Sequence, residues 1–185
     1  MLKQIKIFLT ETLEVFLIAL AIVLPIRYFV VQPFFVKGQS MEPSFYDQDY
    51  LIIDELSYRF RQPERGEVVV FRSPVAPSSY YIKRIIGLPN ETVEMKDGQI
   101  IIYTQGHPEG EILKESYLPK DLKSFGDIKI TLKPDEYFVL GDNRNVSYDS
   151  RSWGPLQKKY VVGRVYLRLF PFNRVEAFSV PQYSF

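Results

Sequence analysis

The sequence predicts a mostly β domain behind one N-terminal transmembrane helix. Three observations carry that expectation. Short runs rich in Val, Ile, Tyr and Phe recur from Tyr50 onward, separated by turn residues. Thirteen Tyr, fourteen Phe and one Trp add further β-favouring side chains. The first thirty residues differ in composition from everything after them.

The N-terminal element comes first. Met1–Leu9 holds Lys3 and Lys6, and Glu11 and Glu14 follow. The uncharged run Val15–Ile26 comes next, and Arg27 ends it. A bilayer-spanning helix needs about 20 residues. Such a span fits from Ile7 to Ile26 if Glu11 and Glu14 lie near one interface. Lys3 and Lys6 then place the N-terminus in the cytoplasm and the rest of the chain outside. Pro25 suits the exit of the helix. Two other readings compete. A cleaved signal peptide has this layout, but Ile26-Arg-Tyr28 is too bulky for a cleavage site. A buried amphipathic helix would be striped, and this run is apolar all round. The expected division is an anchor at residues 1–30 and one β domain at residues 31–185.

The strands follow in order. Tyr50–Ile53, Glu67–Phe71, Tyr80–Ile86, Glu91–Met95, Gln99–Tyr103, Asp127–Leu132, Glu136–Leu140 and Tyr160–Leu169 each combine β-branched and aromatic residues. Lys96-Asp-Gly98 reads as a hairpin turn between two of them. Residues 104–126 are polar and weakly patterned, so they read as a surface excursion. Many short strands at close spacing argue for a sandwich or barrel-like domain.

Composition narrows the chemistry. Lys and Arg number 23 against 22 Asp and Glu, a net charge of +1, and nothing in that balance suggests nucleic acid as a partner. The chain has no Cys, which removes a thiol nucleophile, disulfides and thiolate metal sites. One His, His107, lies in the loop-like run Gln105–Gly110, a poor place for a precisely held base. No cofactor or metal is called for.

Three segments carry candidate chemistry. In Gly38-Gln-Ser-Met-Glu-Pro43, a turn can expose the Ser40 hydroxyl, and the Ser40 backbone N–H can face an oxyanion. Taken alone this is an ordinary turn composition. In Tyr80–Pro89, Lys83 lies within large apolar residues. A strand Lys is commonly solvated. If it is buried instead, its pKa falls from about 10.4 and it can act as a base on a serine hydroxyl. Arg84 would point to the opposite face, and its charge, if close, would favour the neutral lysine. The third segment, Gly141–Gly154, alternates Asp142, Arg144, Asp149 and Arg151 with Ser and Asn. It is either a plain polar loop or a turn held rigid by Asp–Arg pairs.

Together these segments, in this order, resemble the type I signal peptidases, membrane-anchored serine proteases that remove signal peptides from exported proteins. The resemblance spans the anchor, Gly-x-Ser-Met-x-Pro, Arg65–Phe71, Tyr81–Pro89 and the whole Gly141–Gly154 motif. It implies Ser40 as nucleophile and Lys83 as general base. It implies that Ser147 hydrogen-bonds the Lys83 amine, and that Asp142, Arg144, Asp149 and Arg151 brace the loop carrying Ser147. Phe34, Val36, Met41, Phe45, Tyr81 and Ile82 match positions lining shallow pockets for small side chains one and three residues before the cut. The implied fold is the β domain shared with the self-cleaving repressors. Some members carry Ser two residues before the nucleophile, with its hydroxyl in the oxyanion hole; here that residue is Gly38. The resemblance implies preproteins as partners, a lipid bilayer as surroundings and a monomeric enzyme in the plasma membrane. Two alternatives are a self-cleaving regulatory Ser–Lys peptidase and an inactive membrane-tethered β module.

Overall fold

A computed structural model describes residues 2–29, 31–119, 122–181 and 183. Met1 and Val30, at the ends of the expected anchor, lie outside the described residues. So do Lys120 and Asp121 within the 104–126 segment.

The chain opens on helix α1 (Leu2–Phe29). It is longer at both ends than the expected Ile7–Ile26 span. Bilayer thickness set those expected ends, whereas backbone hydrogen bonding sets the helix, and charged side chains such as Lys3 and Lys6 do not stop it. Phe8, Leu13, Val15, Phe16 and Ile18 on α1 are all exposed. Among the described residues no helix is long and apolar enough to cross a membrane.

The strands follow as β1 (Val31–Phe35), β2 (Tyr50–Asp54), β3 (Val68–Arg72), β4 (Tyr80–Gly87), β5 (Thr92–Lys96), β6 (Gln99–Tyr103), β7 (Glu111–Ile112), β8 (Ile128–Thr131), β9 (Glu136–Leu140), β10 (Leu156–Gln157), β11 (Val161–Phe170) and β12 (Glu176–Ala177). A single helical turn, α2 (Ser150–Trp153), sits between β9 and β10. All eight expected runs form strands, with no end displaced by more than one residue. Strand β1 was not among them. It carries Pro33, which suits an edge strand because Pro has no N–H for a second neighbour. It pairs antiparallel with β2 alone, Phe35 opposite Tyr50.

Among the described residues the strands make an eight-stranded sheet, ordered β1-β2-β11-β3-β4-β9-β10 with β12 beside β11, and a four-stranded sheet ordered β7-β6-β5-β8. The β5–β6 hairpin turns at Asp97 and Gly98, both at positive φ (54° and 78°), as a tight two-residue turn requires.

The large sheet is packed on both faces. Along β3, Val68 and Val70 join Met41, Phe45, Leu51 and Ile53, while Val69 and Phe71 join Ile85, Tyr137 and Val139. That is the two-residue alternation of a strand with a core on each side. Along β9, Phe138 and Leu140 face a third cluster with Val93, Met95 and Ile102 from the small sheet. Strand β4 lies in the middle. It pairs with β3 from Tyr80 to Arg84, and with β9 only from Arg84 onward. Its first half, Tyr80–Lys83, is therefore not covered by β9 along its second edge.

Candidate active site

Two elements bring Ser40 and Lys83 together across 43 residues of sequence. Ser40 sits in the turn after β1, and Lys83 sits on β4. Lys83 Nζ lies 2.8 Å from Ser40 Oγ and donates to the Ile82 carbonyl, also at 2.8 Å. Lys83 is only 4% exposed. Burial pushes its ammonium down to about 8, against the opposing pull of Asp149 and Asp142. Arg84 is not the cause, because its charge is taken up elsewhere.

The loop after β9 grips the serine turn from behind. Asn143 donates its backbone N–H to the Ser40 carbonyl (3.1 Å) and its side-chain amide to the Gln39 carbonyl (3.2 Å). Gly141 makes this approach possible. A Cβ there would collide with Ser147 and with the Ser40 carbonyl oxygen. Asp149 caps α2, accepts the Gly141 N–H at 3.1 Å and holds Arg151 through two bonds of 2.8 Å.

Arg144 and Asp142 do not pair with each other. Asp142 is fully buried and holds Arg84 of β4 at 2.9 and 2.6 Å. Arg144 donates to the Gly141 carbonyl at 3.0 Å and grips Glu115 through two bonds, one of them 2.8 Å. Only the Asp149–Arg151 pair is internal to the loop. The other two charges reach out of it, tying the loop to β4 and to the 104–126 segment.

The profile of the signal peptidase family, peptidase S26, matches residues 9–170 of this sequence. The chain belongs to that family. Probable signal peptidase I-2 of Synechocystis sp. is 39% identical over 163 residues, covering 85% of this chain and 71% of the relative. Signal peptidase I of Leptolyngbya laminosa is 36% identical over 182 residues, 94% of this chain and 85% of its own. Signal peptidase I P of Bacillus subtilis subsp. natto is 33% identical over 185 residues, 94% and 95% of the two chains. Membership makes this chain a peptidase of the signal-peptide-removing class.

In this signal peptidase a groove of about 640 Å3 opens beside the Ser40–Lys83 pair. Phe34, Val36, Tyr81 and Ile82 line it. Met41 and Phe45 do not. They are 1% and 0% exposed, in the core beneath, because the serine turn folds their side chains inward onto Leu51 and Ile53. Their contribution is to the packing under the turn.

Two further positions differ from what the family resemblance implies. Ser147 makes no bond to Lys83, since its hydroxyl is buried with no hydrogen-bond partner, while the lysine is engaged by Ser40 and Ile82. Gly38, at φ +86°, has open space where a side chain would stand and donates its N–H to Asp47 Oδ1 at 2.7 Å. Neither a hydroxyl nor that N–H is left there for an oxyanion. Sequence reasoning also missed Val146 and Tyr148, which line the groove from the loop after β9. Their signal was their place beside Ser147 in a polar loop, where exposed apolar side chains stand out.

Proposed function

We propose that this signal peptidase cuts by a serine–lysine dyad at the surface of the plasma membrane. The observation that carries the reading is the 2.8 Å approach of a buried amine, pushed down to about 8, to the Ser40 hydroxyl. An amine with that value is partly neutral near pH 7–8 and can take a proton. The signal peptide of an exported preprotein lies extended in the groove, hydrogen-bonding to the uncovered edge of β4. Small side chains before the cut, as in Ala-x-Ala, fit between Phe34, Val36, Tyr81 and Ile82.

Lys83 Nζ takes the proton from Ser40 Oγ as that oxygen attacks the scissile carbonyl carbon. The Ser40 backbone N–H faces the developing oxyanion. The C–N bond then breaks, and the Lys83 ammonium returns its proton to the leaving amine. A water, losing its proton to the neutral amine, hydrolyses the Ser40 ester. Serine–lysine pairs are a known variant of serine protease logic. The Ser147 hydroxyl, buried and unpartnered, is placed in this reading to orient the lysine during these transfers. Asp142, Arg144, Asp149 and Arg151 brace its loop.

Residues 1–30 serve as the anchor and residues 31–185 as the extracytoplasmic domain, with the N-terminus in the cytoplasm. Support comes from the lysines at the start of α1, its exposed apolar side chains and the uncharged run Val15–Ile26. Confining enzyme and substrate to one bilayer raises their effective concentration. The working unit in this reading is a monomer in contact with lipid.

The test is cleavage of a preprotein by wild type, Ser40→Ala and Lys83→Ala in detergent micelles. Both substitutions should abolish processing. Processing that survives either one would sink the dyad.

A further inference from the structure

We propose that Glu115 and Tyr117, in the 104–126 segment, are positioning residues that hold both halves of the catalytic site in register. The inference rests on the serine–lysine reading above.

This segment departs from a free surface excursion. Leu113, Leu118 and Ser124 are buried, and Leu113 joins the core cluster around Ile100 and Leu140. Between these footholds the chain presents Glu115 and Tyr117 to the two buried guanidiniums of the site. Glu115 takes Arg144 in a two-point grip, and Ser124 Oγ accepts from the same guanidinium. The Tyr117 ring covers Arg84, whose guanidinium carbon lies 3.8 Å from the ring centroid. The Tyr117 hydroxyl donates to Glu115, so the two residues act as one unit.

The two guanidiniums belong to different catalytic elements. Arg84 follows Lys83 on β4. Arg144 lies in the loop that reaches the Ser40 carbonyl through Asn143 and carries Ser147. Asp142 bridges the elements by holding Arg84. With its side chain fully buried, Arg144 needs a carboxylate. If Glu115 were lost, the other carboxylate whose charge acts on Arg144 is Asp142, and recruiting it would loosen Arg84. A fault 26 residues before the start of the Gly141–Gly154 motif would thus displace Lys83 relative to Ser40 without changing any groove-lining side chain itself.

The experiment uses the full chain in detergent with a peptide carrying an Ala-x-Ala site, and measures kcat and KM separately. Glu115→Gln should lower kcat by about 10- to 100-fold, the range expected for a reacting group misplaced by about 1 Å. KM should stay within about twofold, because no groove residue is altered. In the Arg144→Met background, Glu115→Gln should add almost no further loss, since the two act through one contact. Tyr117→Leu is the second variant, which removes the ring over Arg84 and keeps the Glu115–Arg144 pair. It should also lower kcat at constant KM, and it carries the test if Glu115→Gln does not fold. An unchanged kcat, a rise in KM alone, or losses that multiply with Arg144→Met would each overturn the clamp. Ser40→Ala separates the two levels. If it is inactive while Glu115→Gln is normal, the clamp alone fails, and if it still cleaves, the dyad fails and the clamp with it.

Discussion

Lowering the pH should switch off cleavage through one residue. Lys83 titrates near 8 because burial penalises its ammonium, with Asp149 and Asp142 pulling the other way. On the proposed mechanism only the neutral amine accepts the Ser40 proton. Its share is about nine-tenths at pH 9, half at pH 8 and about one-hundredth at pH 6, from a single titration centred near 8. The quantity kcat/KM should therefore fall about 90-fold from pH 9 to pH 6, approaching unit slope below about pH 7 and a plateau above about pH 9. Initial rates on an Ala-x-Ala peptide measure it, with a return to pH 8 confirming that acid has not unfolded the enzyme. Asp149→Asn removes a charge that favours the ammonium, so its profile should move to lower pH. The same titration acts on stability in a defined window. The folded value lies below the ordinary 10.5, so between pH 8 and 10.5 the unfolded chain holds a proton that the folded chain does not. Stability rises with pH across that window, and below it the dry amine costs about 3 kcal/mol. A flat rate profile from pH 6 to 9, or a limb centred near 10.5, would refute the lysine as base.

Three other outcomes are expected. Gly141→Ala drives a methyl group into Ser147 and the Ser40 carbonyl, so kcat should drop about 100-fold; thermal unfolding should show a penalty of about 1–3 kcal/mol, and full activity would show that the close approach is dispensable. A peptide with Trp in place of the Ala before the cut should not be processed if, as proposed, Phe34, Val36, Tyr81 and Ile82 of the groove select small side chains there; equal rates for Trp and Ala would remove the small-pocket assignment. Deleting residues 1–30 should abolish sedimentation with lipid vesicles while peptide cleavage in detergent stays within about threefold, since the gain from the proposed anchor is one of local concentration; a truncated chain that still binds vesicles fully would overturn the assignment of residues 1–30 as anchor.

Much of the architecture was legible because its signals are local. Runs such as Gln99-Ile-Ile-Ile-Tyr103 are β-favouring whatever they contact, and Asp97-Gly98 names its own turn. Strand β1 was hidden because Val31-Gln-Pro-Phe-Phe35 continues the apolar character of the helix before it. What makes it a strand is Leu51 and Tyr50 of β2 lying opposite. The two-residue strands β7, β10 and β12 have no pattern long enough to read, and exist only because partners stand beside them. Charge partners were the least legible. Alternating Asp and Arg in the loop suggested internal pairs, yet Asp142 found Arg84, 58 positions away, and Arg144 found Glu115, 29 positions away. Met41 and Phe45 show the same limit for apolar residues. Sequence places them beside the serine and cannot say whether they face the groove or the core.

The pairing of those charges explains how Lys83 could serve as the proposed base in a site so rich in carboxylates. A bare carboxylate about 6 Å from Lys83 would stabilise its ammonium by about 3 kcal/mol at an effective dielectric of about 20. That equals about 2 pKa units, enough to cancel most of the drop that burial produces. Among the described residues, three carboxylates lie in or against the loop: Asp142, Asp149 and Glu115. Each is held by its own guanidinium, from Arg84, Arg151 and Arg144 respectively. A paired carboxylate presents a dipole rather than a charge, and its field fades faster with distance. Desolvation is then free to win at Lys83. The same three pairs are the braces proposed for the loop beside the Ser40–Lys83 contact. Bracing by neutral residues would leave the geometry but not the need for Arg, and bracing by acids alone would leave the lysine protonated. The alternation of Asp and Arg in Gly141–Gly154 meets both demands at once, with Arg84 and Glu115 completing from outside the loop the two pairs that it leaves open.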